Sequence, residues 1–384
     1  MRYPVFLAVF VALVGLVHYY LWTRLVRDTA LPHPWSVAGG ALLSFLAVSL
    51  FASALAIRGP RAIATPVLWV GYTWLGLVFF LLLAVASADL LKVGVRAYEA
   101  MRATPVDPDR RLALGRMLAA GSVVVGFGAS GAGMASALSR VEVKKLKVEL
   151  ASLGRGAAPI KIVQISDVHI GPTIGRDFIE EIVDRINALS PDVVAITGDL
   201  VDGTVADLAE HAAPLGKLKA KHGVFFVTGN HEYYSGADDW IAHLRGLGVR
   251  VLRNEHVSLP CGIDVAGVDD WTAKQFGGDH GPDLDKALRG RDAARPVVLL
   301  AHQPKAIFGA AAKEVALQLS GHTHGGQIFP FNFLVRLQQP YLAGLYTHEK
   351  TQLYVSRGTG YWGPPMRLGA PAEITEIDVH PASG

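Results

Sequence analysis

The run Lys161-Ile162-Val163-Gln164-Ile165-Ser166-Asp167-Val168-His169 opens as a short β-branched segment, the kind that forms a strand, and closes on two side chains that bind cations. Downstream, Phe178, Ile179, Ile182, Val183 and Ile186 recur at helical spacing, and 192–197 is a second β-branched run that predicts a buried strand. The pattern then repeats, with a helix expected over 207–219, a strand over 224–228, a helix over 238–247 and a strand over 297–301. Such alternation predicts sheet layers covered by helices, an α/β domain over 160–384. The preceding stretch, 141–159, carries Lys144, Lys145 and Lys147 followed by a Gly/Ala-containing segment, and is expected to be a linker.

Polar residues recur just past the expected strands. Asp167 and His169 follow the first, Asp199 the second, Asn230 and His231 the third, and His302 a later one; Gly321-His322-Thr323-His324-Gly325-Gly326 completes the set. Sites of α/β sheets are built where loops leave the carboxyl ends of strands, so residues distant in sequence are expected to converge. An extended Asp-x-His puts both side chains on one face, where one metal takes both, and His322 and His324 are expected to point the same way and serve neighbouring metals. Gly198, Gly229 and Gly321 each precede a candidate ligand where the chain has to turn tightly. Carboxylate, amide oxygen and imidazole without thiolate suit Mn, Fe or Zn. Gly358-Thr359-Gly360-Tyr361-Trp362-Gly363 spells a dinucleotide fingerprint, but Pro364 and Pro365 follow at once and bar the helix that a pyrophosphate site requires. A loop beside the metals is expected there instead, with Tyr361, Trp362 and Arg367 either touching substrate or packing as a turn.

These segments, in this order, resemble the calcineurin-like metallophosphoesterase superfamily over roughly 160–378. The phrases Gly321-His322-Thr323-His324-Gly325-Gly326-Gln327 and Gly363-Pro364-Pro365-Met366-Arg367 are similar to its bacterial cell-envelope branch, the YkuE/YaeI-like phosphohydrolases. The resemblance implies a metallophosphoesterase-type β-sandwich covered by helices. It implies two divalent ions, one held by Asp167, His169 and His324, the other by Asn230, His302 and His322, with Asp199 bridging. Such a pair binds phosphoryl oxygens and activates a hydroxide for in-line attack. His231, beside Asn230, is then placed as general acid for the leaving oxygen. Glu232 is expected to orient the His231 ring, and Asp202 either to support a metal ligand from behind or to cap a helix.

The first 140 residues differ in kind. Of the 384 residues, 51% are hydrophobic and 18% charged, and most of the apolar excess lies there. Four stretches, about 4–22, 35–57, 66–91 and 117–138, are long and apolar enough to cross a bilayer. The second ends at the turn Arg58-Gly59-Pro60-Arg61, and the fourth is rich in glycine and alanine, which suits close helix packing. The first is read as an uncleaved helix rather than a signal peptide, because further spans follow it. An all-α membrane domain of about four helices is thus expected before the catalytic domain. The densest basic loop, with Lys92, Arg96, Arg102, Arg110, Arg111 and Arg116, is best placed in the cytoplasm, which puts everything after residue 140 outside a bacterial cytoplasmic membrane. Arg110-Arg111 before the fourth stretch is also similar to a twin-arginine export signal.

A net charge of +3 gives no reason to expect a nucleic-acid partner, and the single cysteine, Cys261, excludes an internal disulfide. The expected partners are the bilayer and a phosphorylated small molecule or lipid. The leading functional reading is a phosphohydrolase acting on phosphodiester or pyrophosphate bonds of lipid-linked or envelope substrates. Two others stand beside it: hydrolysis of soluble nucleotides or phosphoproteins, and a non-catalytic membrane sensor or scaffold.

Overall fold

The computed structural model describes residues 2–57, 59–101, 107–154 and 156–382; Arg58 of the turn and Arg102 of the basic loop lie outside the described residues. The chain divides into one unit of Met1–Ala135 with Gly363–Met366 and another of Ser136–Trp362 with Arg367–Gly384.

The first unit is helical. Its helices are α1 (Arg2–Trp22), α2 (Trp35–Ala56), α3 (Arg61–Met101) and α4 (Pro108–Leu138), whose last turn passes into the second unit. All four are long and apolar enough to cross a membrane. Their apolar side chains largely face outward, among them Val9, Leu16, Phe45, Leu55 and Val124. Water tolerates such a surface poorly, and lipid tails suit it. A small interior gathers Leu21, Trp74, Leu77, Val78, Leu81 and Val85. Several polar groups inside are paired: the Trp74 indole donates to His18 Nε2 at 2.9 Å, and Asp89 accepts from Tyr20 at 2.9 Å and from Arg24 at 2.6 Å. Arg116 Nε donates to the Thr29 carbonyl at 2.8 Å, so Arg24, Lys92 and Arg116 gather at one end of the bundle.

The second unit is a sandwich of two six-stranded mixed sheets. Its strands are β1 (Glu142–Leu150), β2 (Ile160–Ile165), β3 (Val193–Ile196), β4 (Val224–Phe226), β5 (Arg250–Val251), β6 (Glu255–Ser258), β7 (Asp264–Gly267), β8 (Val297–Leu300), β9 (Leu317–Ser320), β10 (Gly344–His348), β11 (Thr351–Val355) and β12 (Glu373–Pro381). One sheet runs β1-β12-β2-β3-β4-β5 and the other β10-β11-β9-β8-β7-β6. Neighbours are parallel from β2 to β5 and from β7 through β8 and β9 to β11.

Period-two alternation explains the layering. Ile162, Val193 and Phe225 point between the sheets, where they meet Val298, Leu319 and Tyr354. Their chain neighbours Val163, Val194 and Phe226 point outward, under α5 (Arg176–Ala188), α6 (Val205–Ala212) and, after α7 (Asn230–Ser235), α8 (Ala237–Gly246). Leu299 and Leu353 are covered on the far side by Ile307 and Ala310. Because both faces of each inner strand are buried, the strands read as continuous apolar runs.

The expected linker needs correction, since Glu142–Leu150, about half of it, is strand. β1 pairs in parallel with β12, Glu142 facing Glu373 through to Leu150 facing Pro381. The lysines that resembled a basic tether face acids on that distant partner: Lys145 lies 3.3 Å from Glu376 and Lys144 lies 3.9 Å from Glu373. Val148 and Leu150 seal the core between the sheets.

Candidate metal centre

The parallel strands of both sheets aim their carboxyl ends at one place. β2, β3 and β4 deliver Asp167 and His169, Asp199, and Asn230 with His231; β8 and β9 deliver His302, and His322 with His324. Asp167, His169, Asp199, Asn230, His302 and His324 are buried.

Local geometry differs from the extended Asp-x-His expected from sequence. Asp167, His169, Asp199, His322 and His324 have φ of 52°, 53°, 50°, 72° and 51°. Each is therefore in the left-handed region, where a non-glycine residue costs about 1 kcal/mol or more. The side chains converge because the backbone coils back at each of them, not because a strand alternates. Glycines make room for this, Gly229 among them, where a Cβ would overlap Asp199. Gly198 has φ 87°, and a Cβ there would lie 2.6 Å from Gly229 N and 2.8 Å from His302 Nδ1; at Gly321 a Cβ would overlap the side chains of Ser166 and Asp167.

The convergence leaves two adjoining groups of donor atoms. In the first, His169 Nε2 is 3.0 Å from His324 Nε2, and that nitrogen is 3.4 Å from Asp167 Oδ1. In the second, His302 Nε2 is 3.1 Å from Asp199 Oδ2 and 3.3 Å from His322 Nδ1. Each group has ligand atoms close enough together to share one ion. His302 Nδ1 donates to the Thr197 carbonyl at 2.7 Å, so the lone pair of Nε2 faces a carboxylate oxygen, an arrangement that calls for a cation or proton between them. Buried Asn230 Oδ1 has no hydrogen-bond partner, an orphan acceptor at the same spot. The residues fit divalent metal.

The electrostatics agree. Burial pushes the Asp167 carboxyl up, whereas at Asp199 burial is outweighed by His302 and His231, which hold it well below the usual range. Burial lowers His322 to about 3 and His324 well below an ordinary imidazole, leaving neutral rings with free lone pairs. His302 goes the other way: burial opposes its charge, but the Asp199 and Asp167 carboxylates raise it well above the ordinary value.

His231 stands at the opening. Its backbone N–H donates to Asp199 Oδ1 at 2.9 Å, and its Nδ1 is 2.6 Å from Asp202 Oδ1. Asp202 also accepts from His169 Nδ1 at 3.1 Å, so one carboxylate aligns a candidate ligand and the neighbouring ring. Burial works against a charged His231, yet Asp199 and Asp202 lift it to about 9. Glu232, expected to orient His231, does something else. It accepts the amides of Gly229, Leu200 and Asp199 at 2.6, 2.7 and 3.0 Å, fastening the loops after β3 and β4 together. The orienting carboxylate is Asp202.

The 361–367 loop also separates into roles. Trp362 is 55% exposed, with its ring edge-on to His231 at 5.5 Å. Tyr361 is buried in the core under α5, with its hydroxyl 3.4 Å from the Thr173 carbonyl. Arg367, expected either to touch substrate or to pack within a turn, is fully buried; its guanidinium donates to the carbonyls of Gly360 at 2.7 Å and Ala370 at 2.8 Å and lies 3.3 Å from His324 Nδ1. Because a buried cation is costly unless its donors are satisfied, Arg367 is a strut behind His324. Two neighbours went unread in the sequence. Tyr234, three residues past His231 on α7, puts an exposed ring 5.3 Å from it, a spacing that places both on one helix face. Gln327 exchanges hydrogen bonds of 2.9 and 3.0 Å with the Trp362 backbone.

Comparison with known proteins agrees with this geometry. Residues 160–326 match the calcineurin-like phosphoesterase family. A metallophosphoesterase of Helicobacter pylori (strain J99) is 42% identical over 276 residues, 71% of this chain and 73% of its own. A bovine protein described as a transmembrane protein with metallophosphoesterase domain is 43% identical over 326 residues, 80% of this chain and 72% of its own, so that match extends into the helical unit. YkuE of Bacillus subtilis is 31% identical, over 67% of this chain and 92% of its own. With its four candidate membrane-crossing helices, the chain belongs to the calcineurin-like metallophosphoesterase family and is a metal-dependent phosphoester hydrolase.

Proposed function

We propose that this protein is a membrane-anchored phosphohydrolase that cleaves phosphodiester or pyrophosphate bonds of lipid-linked or envelope substrates, with the chain before about residue 140 as anchor and the remainder as catalytic domain. Asp167, His169 and His324 would hold one divalent ion, Asn230, His302 and His322 the other, and Asp199 would bridge, in keeping with the dinuclear centres of the family. The donor set suits Mn, Fe or Zn. Such a pair supplies charge for the phosphoryl oxygens and lowers the pKa of a water towards neutrality.

The protein's own groups complete the chemistry. His231, raised by the Asp199 and Asp202 carboxylates, is biased towards its protonated form and would donate from Nε2 to the leaving oxygen. Asp202 fixes its Nδ1 proton and thus its tautomer. Tyr234 and Trp362 flank the ring and shape the opening. The observation that carries the reading is the convergence of seven ligand-type side chains from five loops, five of those residues held in left-handed backbone.

Clustering of Arg24, Lys92 and Arg116 at one end of the helices supports a cytoplasmic placement of that end, and hence a catalytic domain on the outer side of a bacterial cytoplasmic membrane. Purified full-length protein assayed on bis-p-nitrophenyl phosphate with and without Mn tests catalysis. Turnover only with metal is expected; a metal-loaded protein inert on diesters and pyrophosphates alike would overturn the reading. Preference for soluble nucleotides over lipid pyrophosphates would overturn its substrate half.

A further inference from the structure

The segment that follows the last candidate ligand carries an apolar surface that catalysis does not use. Phe329, Phe331, Phe333, Leu334 and Leu337 are between 46% and 81% exposed, and all fall within residues 329–337. This is no loose loop. Phe329 N donates to the Leu368 carbonyl at 2.9 Å, Asn332–Val335 forms a helical turn, Phe329 and Phe333 meet edge to face at 5.9 Å, and buried Gln339 reaches Gln303 at 3.3 Å. An ordered scaffold thus presents five large apolar groups to the outside, a concentration that marks an interaction surface.

Its charge narrows the partner. From residue 315 to residue 348 the chain has no aspartate or glutamate, and Arg336 is the only lysine or arginine. Aromatic and leucine side chains around one arginine, with Asn332, Gln338 and Tyr341 nearby, suit the head-group boundary of an anionic bilayer. Four candidate membrane-crossing helices in the same chain keep such a bilayer at high local concentration.

We propose that residues 329–337 are a membrane-docking surface, their phenylalanine and leucine side chains entering the upper acyl region of the bilayer. One consequence rests on the functional reading given above. Gln327, two residues before Phe329, is bonded to the Trp362 backbone, and the Trp362 ring lies against His231. Docking here brings the opening of the metal centre to the lipid surface, where the substrate is a phosphate ester carried by a lipid.

The test uses the full-length protein in lipid nanodiscs with Cys261→Ser, so that a fluorophore attaches only at Phe333→Cys, Leu337→Cys or the control Phe308→Cys, a side chain 53% exposed elsewhere on the unit. Quenching by acyl-chain spin-labelled lipids is expected at 333 and 337 and not at 308, with iodide giving the reverse order. Equal iodide access at all three sites overturns the proposal, as does shielding from both quenchers at 333, which would mean that protein covers the face. Neither result depends on activity. For the substrate consequence, the double variant Phe333→Ser/Leu337→Ser is expected to keep turnover on a water-soluble diester and lose about tenfold on a diester lipid in vesicles; equal turnover on both substrates overturns that consequence alone.

Discussion

Replacing Asp202 with asparagine tests proton delivery, and metal content is read alongside because the same carboxylate also accepts from His169. Asp202 Oδ1 is 2.6 Å from His231 Nδ1, and this carboxylate, with Asp199 and more weakly Glu232, lifts the imidazole to about 9. A charge-assisted hydrogen bond of this kind contributes roughly 1.5–3 kcal/mol, and about 1.4 kcal/mol corresponds to one pKa unit. Asp202→Asn should therefore lower His231 by about one to two units. The sign follows from the role: an acid works while protonated, so turnover falls as pH rises through its pKa, and in the variant this fall begins at lower pH. Divalent ions held at Asp199 would lower His231 in both proteins, so the difference would persist while the absolute positions drop. The assay is kcat against pH for a phenyl diester, which needs the proton, and for a p-nitrophenyl diester, which needs it little, with metal content measured alongside. Above neutral pH the phenyl substrate should lose about tenfold or more relative to the other. An alkaline limb that does not move while both ions are retained would remove His231 from the mechanism; equal loss on both esters would assign Asp202 to the metals through His169 instead.

Gly198→Ala is expected to destabilise the catalytic unit by about 1–3 kcal/mol and weaken metal retention, because the added methyl meets Gly229 and His302 at a left-handed position; unchanged thermal unfolding would contradict the packing described. Glu232→Gln leaves one oxygen where three amides are now satisfied, so a loss of about 1–3 kcal/mol is expected, with the alkaline limb of turnover moving down less than in Asp202→Asn because Glu232 is the smallest of the three carboxylate influences on His231; a shift as large as that of Asp202→Asn would restore Glu232 to the role expected from sequence. His322→Gln and His324→Gln should each lose one ion and keep the other, as read by elemental analysis; loss of both from either variant would show the two sites to be inseparable.

Much of this was legible because the inner strands are apolar on both faces and the candidate ligands follow them directly. The expected strand at 161–165 is β2 (Ile160–Ile165), and that at 297–301 is β8 (Val297–Leu300). What escaped was long-range. β1 looks like a tether because its lysines cluster between only two acids, Glu142 and Glu149; Lys147 pairs locally with Glu149, and the β12 glutamates that face Lys144 and Lys145 come more than two hundred residues later. Glu232 adjoins His231 in the chain, yet the turn at Gly229 sends its carboxylate down to three amides while Asp202, from another loop, reaches the ring. Arg367 reads as a surface cation in a glycine- and proline-rich loop; only the fold shows carbonyls collecting around it. The helical segments were clear because about twenty apolar residues announce themselves, although α3 (Arg61–Met101) runs well past the 66–91 expected for it.

The central claim is best tested by counting metal. Full-length protein loaded with Mn or Zn, freed of excess ion and measured by mass spectrometry against its amino-acid content, should hold two ions per chain, falling to none or one in Asp199→Asn. A protein that retains no ion after loading, or an Asp199→Asn variant that keeps both, would contradict it.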